Sequence, residues 1–170
     1  MTPQRNTTPT LIGLLSDSHG HAAITHEAVT RLIDAGAGTL IHLGDIGSVE
    51  VLDALAGHDA HIVFGNCDWE ASALARYARG LDIAVHDPAG WIEYGGKSLA
   101  FTHGHLDGVV RQVLERKPDY FLHGHTHLVR DERHEGTRII NPGALHRAKR
   151  HTVALLDAAA DTVQFIEIPR

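Results

Sequence analysis

Residues 11–20 read LIGLLSDSHG. Thr10 to Ser16 is a short apolar run that stops at Asp17-Ser18-His19-Gly20, the pattern of a buried strand ending in a turn. The next segment changes period. Ile24, Ala28, Leu32 and Ala35 recur every three or four residues, so His21 to Ala35 reads as an amphipathic helix, closed by Gly36 and Gly38.

The same alternation continues outward. Thr39 to Leu43 reads as a strand ending at Gly44-Asp45. Ser48 is placed to cap a helix running through Ala56, and His61 to Phe64 is a third strand ending at Gly65-Asn66-Cys67-Asp68. A strand–helix–strand–helix–strand rhythm implies a mostly parallel sheet. After a helix near Ala71 to Ala78, strand signals dominate: Ile83 to His86, Gly90 to Tyr94 and Ser98 to Thr102. Gly108 to Arg116 reads as helix, and Tyr120 to Leu122 as a strand ending at His123-Gly124-His125-Thr126-His127. Arg138 to Ile140, Thr152 to Leu156 and Thr162 to Ile168 are further strand-like runs. No linker or repeat interrupts 10–170, which reads as one domain. Met1 to Pro9, polar and rich in Thr and Pro, reads as a loose tail without a signal peptide's apolar core.

Composition narrows the class. Hydrophobic residues make up 43% and charged residues 21%, which fits a globular rather than a disordered chain. A net charge of -6 argues against broad nucleic-acid binding. No apolar run approaches the ~18–20 residues of a membrane span. Cys67 is the single cysteine, so no intrachain disulfide forms, which suits a cytoplasmic protein. The 15 histidines equal Lys and Arg together. His26, His58, His61, His86, His134, His146 and His151 fall into no pattern, whereas the other eight lie in or beside short Asp/Gly/Asn/His clusters.

Five such clusters close five strands: Asp17-x-His19, Gly44-Asp45, Gly65-Asn66, His103-Gly104-His105 and Gly124-His125-Thr126-His127. Open α/β sheets gather ligands at the carboxyl ends of their strands, so residues far apart in sequence can converge on one cleft. Imidazole and carboxylate suit Mn, Fe, Ni or Zn, and the small number of carboxylates disfavours a dedicated Ca site. Taken singly, Asp-x-His and Gly-Asp are also ordinary turn chemistry; five in this order are hard to explain that way.

The motifs LLSDSHG, HLGDIGS, FGNCDW, FTHGH and HGHTH, followed by INPGA, resemble those of the calcineurin-like metallophosphoesterases, specifically their small bacterial and archaeal phosphodiesterase branch. The resemblance runs from Leu11 to the C-terminal strands. It implies a four-layer α/β/β/α sandwich with two mixed β-sheets and a dimetal site at the strand C-terminal ends. It further implies that one ion takes Asp17, His19, Asp45 and His127, and the other Asp45, Asn66, His103 and His125, with Asp45 bridging. Manganese is the expected metal, with Fe, Ni or Zn as alternatives. Two divalent ions against two carboxylates leave about +2 in the pocket, which favours a phosphate ester and a hydroxide. Such a pair activates the hydroxide for in-line attack at phosphorus. Asp45, Asn66 and His103 are the expected catalytic residues, and Asn66 and His105 the expected substrate contacts, with a supporting or solvated role the alternative for His105.

Many members of the wider superfamily carry histidine after the Gly-Asn pair, where it is thought to protonate the leaving group. Here that position is Cys67, as is often so in the small branch, which leaves the general acid open; the thiol reads either as a buried, inert group or as that acid. Asp68 reads either as a turn aspartate or as a residue orienting its neighbours. His123 and Trp69 read as packing residues, with stacking on a base or aryl group the alternative for Trp69. The leading expectation is hydrolysis of a small phosphodiester, with phosphomonoesters as secondary substrates; a homo-oligomer is compatible with it. The competing classes are a metal-binding scaffold without turnover and a nuclease. The full set of ligating residues counts against the scaffold, and the lack of a basic stretch against the nuclease.

Overall fold

The computed structural model describes residues 11–170; the expected tail, Met1 to Pro9, lies outside the described residues. The chain runs β1 (Leu11–Leu15), α1 (Ala22–Asp34), β2 (Thr39–His42), α2 (Val49–Asp53), β3 (Asp59–Ile62), α3 (Ala71–Gly80), β4 (Ala84–Val85), β5 (Ala89–Tyr94), β6 (Lys97–Thr102), α4 (Asp107–Glu115), β7 (Tyr120–Leu122), β8 (Val129–His134), β9 (Thr137–Pro142), β10 (His151–Asp157) and β11 (Thr162–Ile168).

Two mixed sheets form. One has the order β11-β10-β1-β2-β3-β4, with β1 to β4 parallel and β10 and β11 antiparallel; the other is β5-β6-β7-β9-β8. Alternation along β1 explains the layering. Ile12 and Leu14 point inward, where with Ile41, Leu43 and Val63 they meet Leu99, Phe101, Tyr120, Leu122 and Ile140 of the second sheet. Leu15 points outward against Leu32, Val51, Leu52 and Leu74 of the helices. Gly13 shares that outer face. A Cβ there would lie 2.7 Å from Leu40 Cδ2 and 3.0 Å from Leu32 Cδ1, so glycine lets α1 sit close on the sheet. On the far side, Val113 of α4 covers Ala100, Phe121 and Ile139. The four layers are therefore α/β/β/α. Each fully buried Leu or Ile between them contributes about 1.5–3 kcal/mol.

One strand adds to the sequence reading, and two expected boundaries are corrected. β8 carries VRDERH, mostly exposed, and no apolar alternation announces it. It forms as an edge strand on β9, and its charges pair locally, with Arg138 clasping Asp131 at 2.8 Å. The helix after Ser48 is shorter than Ser48 to Ala56: it ends at Asp53, and Leu55 and Ala56 turn instead. Ser48 stands at its N-cap position, but its hydroxyl makes no capping bond. β3 starts at Asp59, two residues before the expected His61. No helix among the described residues is long and apolar enough to cross a membrane.

Candidate metal centre

The loops leaving β1, β2, β3, β6 and β7 meet at one end of the sandwich, so the site draws on both sheets. The first two loops run side by side beyond their strands: Asp17 N–H donates to the Gly44 carbonyl at 3.0 Å and His19 N–H to the Asp45 carbonyl at 2.9 Å. The β6 and β7 loops are tied by Gly124 N–H donating to the His103 carbonyl at 3.0 Å. Across the sheets, His125 N–H donates to Asp17 Oδ2 at 3.1 Å. The approach leaves no room for side chains at two positions. A Cβ on Gly65 would overlap the Asp45 carboxylate, and one on Gly124 the Ser16 hydroxyl.

Five of the seven predicted ligand residues sit in the left-handed region: Asp17 (φ 57°), His19 (46°), Asp45 (53°), His125 (68°) and His127 (59°). Such backbone is sparsely populated for residues other than glycine and persists where surrounding structure enforces it.

Among the described residues, Asp17, His19, Asp45 and His127 each offer a ligand atom within 4.8 Å of the others. His127 Nε2 is 3.1 Å from Asp17 Oδ1, and His19 Nε2 is 3.5 Å from Asp45 Oδ2. A second set adjoins it. His103 Nε2 lies 3.4 Å from Asp45 Oδ2 and 3.2 Å from Asn66 Oδ1, and the His103 and His125 rings are 5.1 Å apart. All seven predicted ligand residues are thus brought together, with Asp45 between the two sets.

The donor chemistry fits a cation. Asp17 Oδ2 is satisfied by the Ser16 hydroxyl at 2.6 Å and the His125 amide, while Asp17 Oδ1 is buried without a hydrogen-bond partner and faces imidazole nitrogens. A buried, partnerless carboxylate oxygen is costly unless a cation meets it. Two imidazoles are oriented from behind. His103 Nδ1–H donates to the Leu43 carbonyl at 2.7 Å and His127 Nδ1–H to the Arg147 carbonyl at 3.2 Å, which turns each Nε2 toward the cluster.

Electrostatics agree. Burial raises the Asp45 pKa, but the His103 hydrogen bond and charge and the Cys67 amide outweigh it and hold it below the usual carboxylate range. Burial lowers the His103 pKa, yet Asp45 and Asp17 bring it above its ordinary value. His19 is lowered, chiefly by burial.

Residues 11–161 match the calcineurin-like phosphoesterase superfamily domain. The chain belongs to that superfamily. It is 29% identical over 136 residues to a phosphodiesterase of Methanocaldococcus jannaschii, covering 78% of this chain and 82% of that one. A probable metallophosphoesterase of Bacillus subtilis is 25% identical over 166 residues, covering 91% and 89%. Among solved structures, an archaeal phosphodiesterase superposes with a TM-score of 0.84 at 25% identity, over 93% of this chain and 99% of the other. Family, fold and the Asp/His cluster make the protein a metal-dependent phosphoesterase of the small bacterial and archaeal branch.

Around this metallophosphoesterase cluster the remaining expectations divide. His123 is buried, stacks on Phe121 at 5.4 Å and packs as expected. Asp68 orients its neighbours: it accepts from the Gly65 amide at 2.8 Å and the Gly47 amide at 2.9 Å, clamping two ligand loops. Asn141 donates to the Gly124 carbonyl at 2.9 Å and so braces the His125–His127 turn. Trp69, expected to pack, is instead 88% exposed. Its neighbours in the 66–70 turn spend their polar groups on Asp45 and on the Gly65 and Gly47 amides, and nothing covers its ring. Cys67 is half-buried rather than buried, and burial followed by the charge of Asp45 pushes its thiol up.

Sequence reasoning missed His146 and Arg147. His146 stacks on His21 at 3.9 Å and lies 5.7 Å from His19. Neither residue has a Gly or Asp beside it; the signal is the short group Arg147, Lys149 and Arg150, which corrects the reading that the chain has no basic stretch.

Proposed function

We propose that residues 10–170 act as one catalytic unit that hydrolyses small phosphodiesters, with phosphomonoesters as secondary substrates, using two divalent ions, manganese first among them. Asp17, His19, Asp45 and His127 would hold one ion, and Asp45, Asn66, His103 and His125 the other. The observation that carries this reading is Asp17 Oδ1: buried, partnerless and faced by His127 Nε2 at 3.1 Å. Ions at this position supply Lewis acidity, acidifying a water and neutralising phosphoryl oxygens.

The chain's own residues do the rest. The two carboxylates leave the loaded pocket net positive, which favours an anionic ester. Asn66 carries an amide able to donate to a phosphoryl oxygen, and His103, locked through Leu43, presents Nε2 beside it at 3.2 Å. His105 stands 5.3 Å from His103, with a buried, partnerless Nδ1, and is assigned to the substrate phosphate. A single free cysteine suits a reducing cytoplasm. The overall charge of -6 argues against nucleic acid as partner, and a homo-oligomer is compatible with this reading.

The test is chelation followed by reconstitution. Protein stripped of metal, verified by elemental analysis, should lose hydrolysis of bis(p-nitrophenyl) phosphate and regain it with Mn. Full activity without metal would overturn the reading. Stoichiometric metal binding with no turnover on any ester would make the protein a scaffold.

A further inference from the structure

His127 faces two ways. Its Nε2 belongs to the Asp/His cluster, and its other flank lines an open groove of about 640 Å³ that continues along Leu128, Val129, Lys149, Arg150 and Phe165. The groove is the seam where the two sheets part: Val129 begins the edge strand of one and Phe165 lies on the edge strand of the other. Its volume is in the range of small-ligand sites.

Its lining is chemically divided. Leu128 and Val129 are 69% and 48% exposed, and with Phe165 they make an apolar surface beside the centre. Lys149 and Arg150 supply positive charge, and Glu167, which also lines the groove, one carboxylate against the two cations. Together with Arg147, Lys149 and Arg150 place three cations within four residues of a chain whose net charge is -6. Lys149 has no ion pair among the described residues. Arg150 meets Glu167 only at 3.7 Å, with both side chains largely in solvent, a pairing worth little. The segment is anchored to the centre, since the Arg147 carbonyl accepts from His127 Nδ1.

We propose that this groove is a specificity subsite for the phosphoester reading above: it takes a substrate arm with an apolar or aromatic body and a second anionic group, as in a nucleotide carrying two separate phosphates. The body lies on Leu128, Val129 and Phe165, and the second anion meets Lys149 and Arg150. A phosphate at the centre is already beside His127, so its ester arm enters the seam directly. A substrate with one phosphate leaves both cations unused.

The test uses metal-loaded, full-length protein and two ligand pairs. For turnover, thymidine 5′-(p-nitrophenyl phosphate) is compared with its 3′-phosphorylated form. For binding, adenosine 5′-monophosphate is compared with adenosine 3′,5′-bisphosphate by calorimetry. The wild type should prefer the doubly phosphorylated member by about tenfold or more, the usual worth of a charge-assisted contact. Lys149→Ala with Arg150→Ala should bring the preference to within about twofold, and Leu128→Ser should weaken both members alike. Absence of the preference, or its survival in the double variant, overturns the proposal. So does a dimer in size-exclusion chromatography that Leu128→Ser dissociates while nucleotide binding stays unchanged, because the seam is then a subunit interface. If no ester is hydrolysed under any metal, the phosphoesterase reading falls, and the calorimetric pair still decides the subsite.

Discussion

His103 Nδ1 donates to the Leu43 carbonyl at 2.7 Å, across the two sheets. One carbonyl at the end of β2 thereby fixes the tautomer and direction of a ring on the loop after β6. His103→Gln keeps a polar group but loses that lock. We predict a loss of about one equivalent of bound metal and at least ~10²-fold in kcat, read by elemental analysis and steady-state kinetics. Wild-type stoichiometry with wild-type kcat would remove His103 from the centre.

Asp45 stands between the two groups of residues proposed to hold ions, with Oδ2 3.5 Å from His19 Nε2 and 3.4 Å from His103 Nε2. Asp45→Asn should therefore lower metal content and activity more than Asn66→Ala, which touches one set through a neutral oxygen. The two variants assayed at equal total Mn give the comparison; equal effects would contradict a bridging role.

Cys67 serves the site through its backbone, whose N–H donates to Asp45 Oδ1 at 2.8 Å. The thiol is pushed up by burial and by Asp45, and Cys67→Ala preserves the amide. Turnover should change by less than about threefold for both aryl and alkyl diesters, with metal content intact. General acid catalysis is worth roughly 10²–10⁴-fold, so a loss of that size confined to alkyl esters would identify the thiol as the acid.

His42 is buried in its neutral form. Gly44 N–H donates to Nδ1 at 3.3 Å, Nε2 donates to the Ser18 hydroxyl at 2.8 Å, and burial pushes the pKa down to about 3. The unfolded value is about 6.5, so this contribution to stability is present above pH 6.5 and is lost as pH falls toward 3. At pH 4.5, two units below the unfolded value at about 1.4 kcal/mol each, the loss is roughly 2–3 kcal/mol. His42→Gln keeps a donor toward Ser18 and does not titrate. It should be less stable than wild type at pH 7.5 and close that gap by pH 4.5 in urea titrations. A gap independent of pH would show that His42 does not carry the acid sensitivity.

Much of this protein is legible in the chain alone. The apolar runs of β1, β2 and β7 and the three-to-four spacing of Ile24, Ala28 and Leu32 mark their elements because burial imposes those periods locally. The Asp/His cluster of Asp17, His19, Asp45 and His127 announces itself because carboxylate and imidazole stand together where strands end, and the glycines beside it mark where backbones approach closely. Gly65 and Gly124 are cases in which only the absence of a side chain lets the loops meet.

Other features required the tertiary structure. β8 is held by backbone pairing and charge at a sheet edge, so its sequence carries no burial signal. The orientation of His103 and His127 depends on carbonyls of Leu43 and Arg147, 60 and 20 residues away, and a carbonyl has no residue-type signature. The groove beside His127 follows from where two sheets stop covering each other, which is a property of their relative edges, and the exposure of Trp69 from a turn whose polar groups are spent on other loops. Residue types and local spacing determine which chemistry is available; long-range backbone contacts decide which atoms face one another.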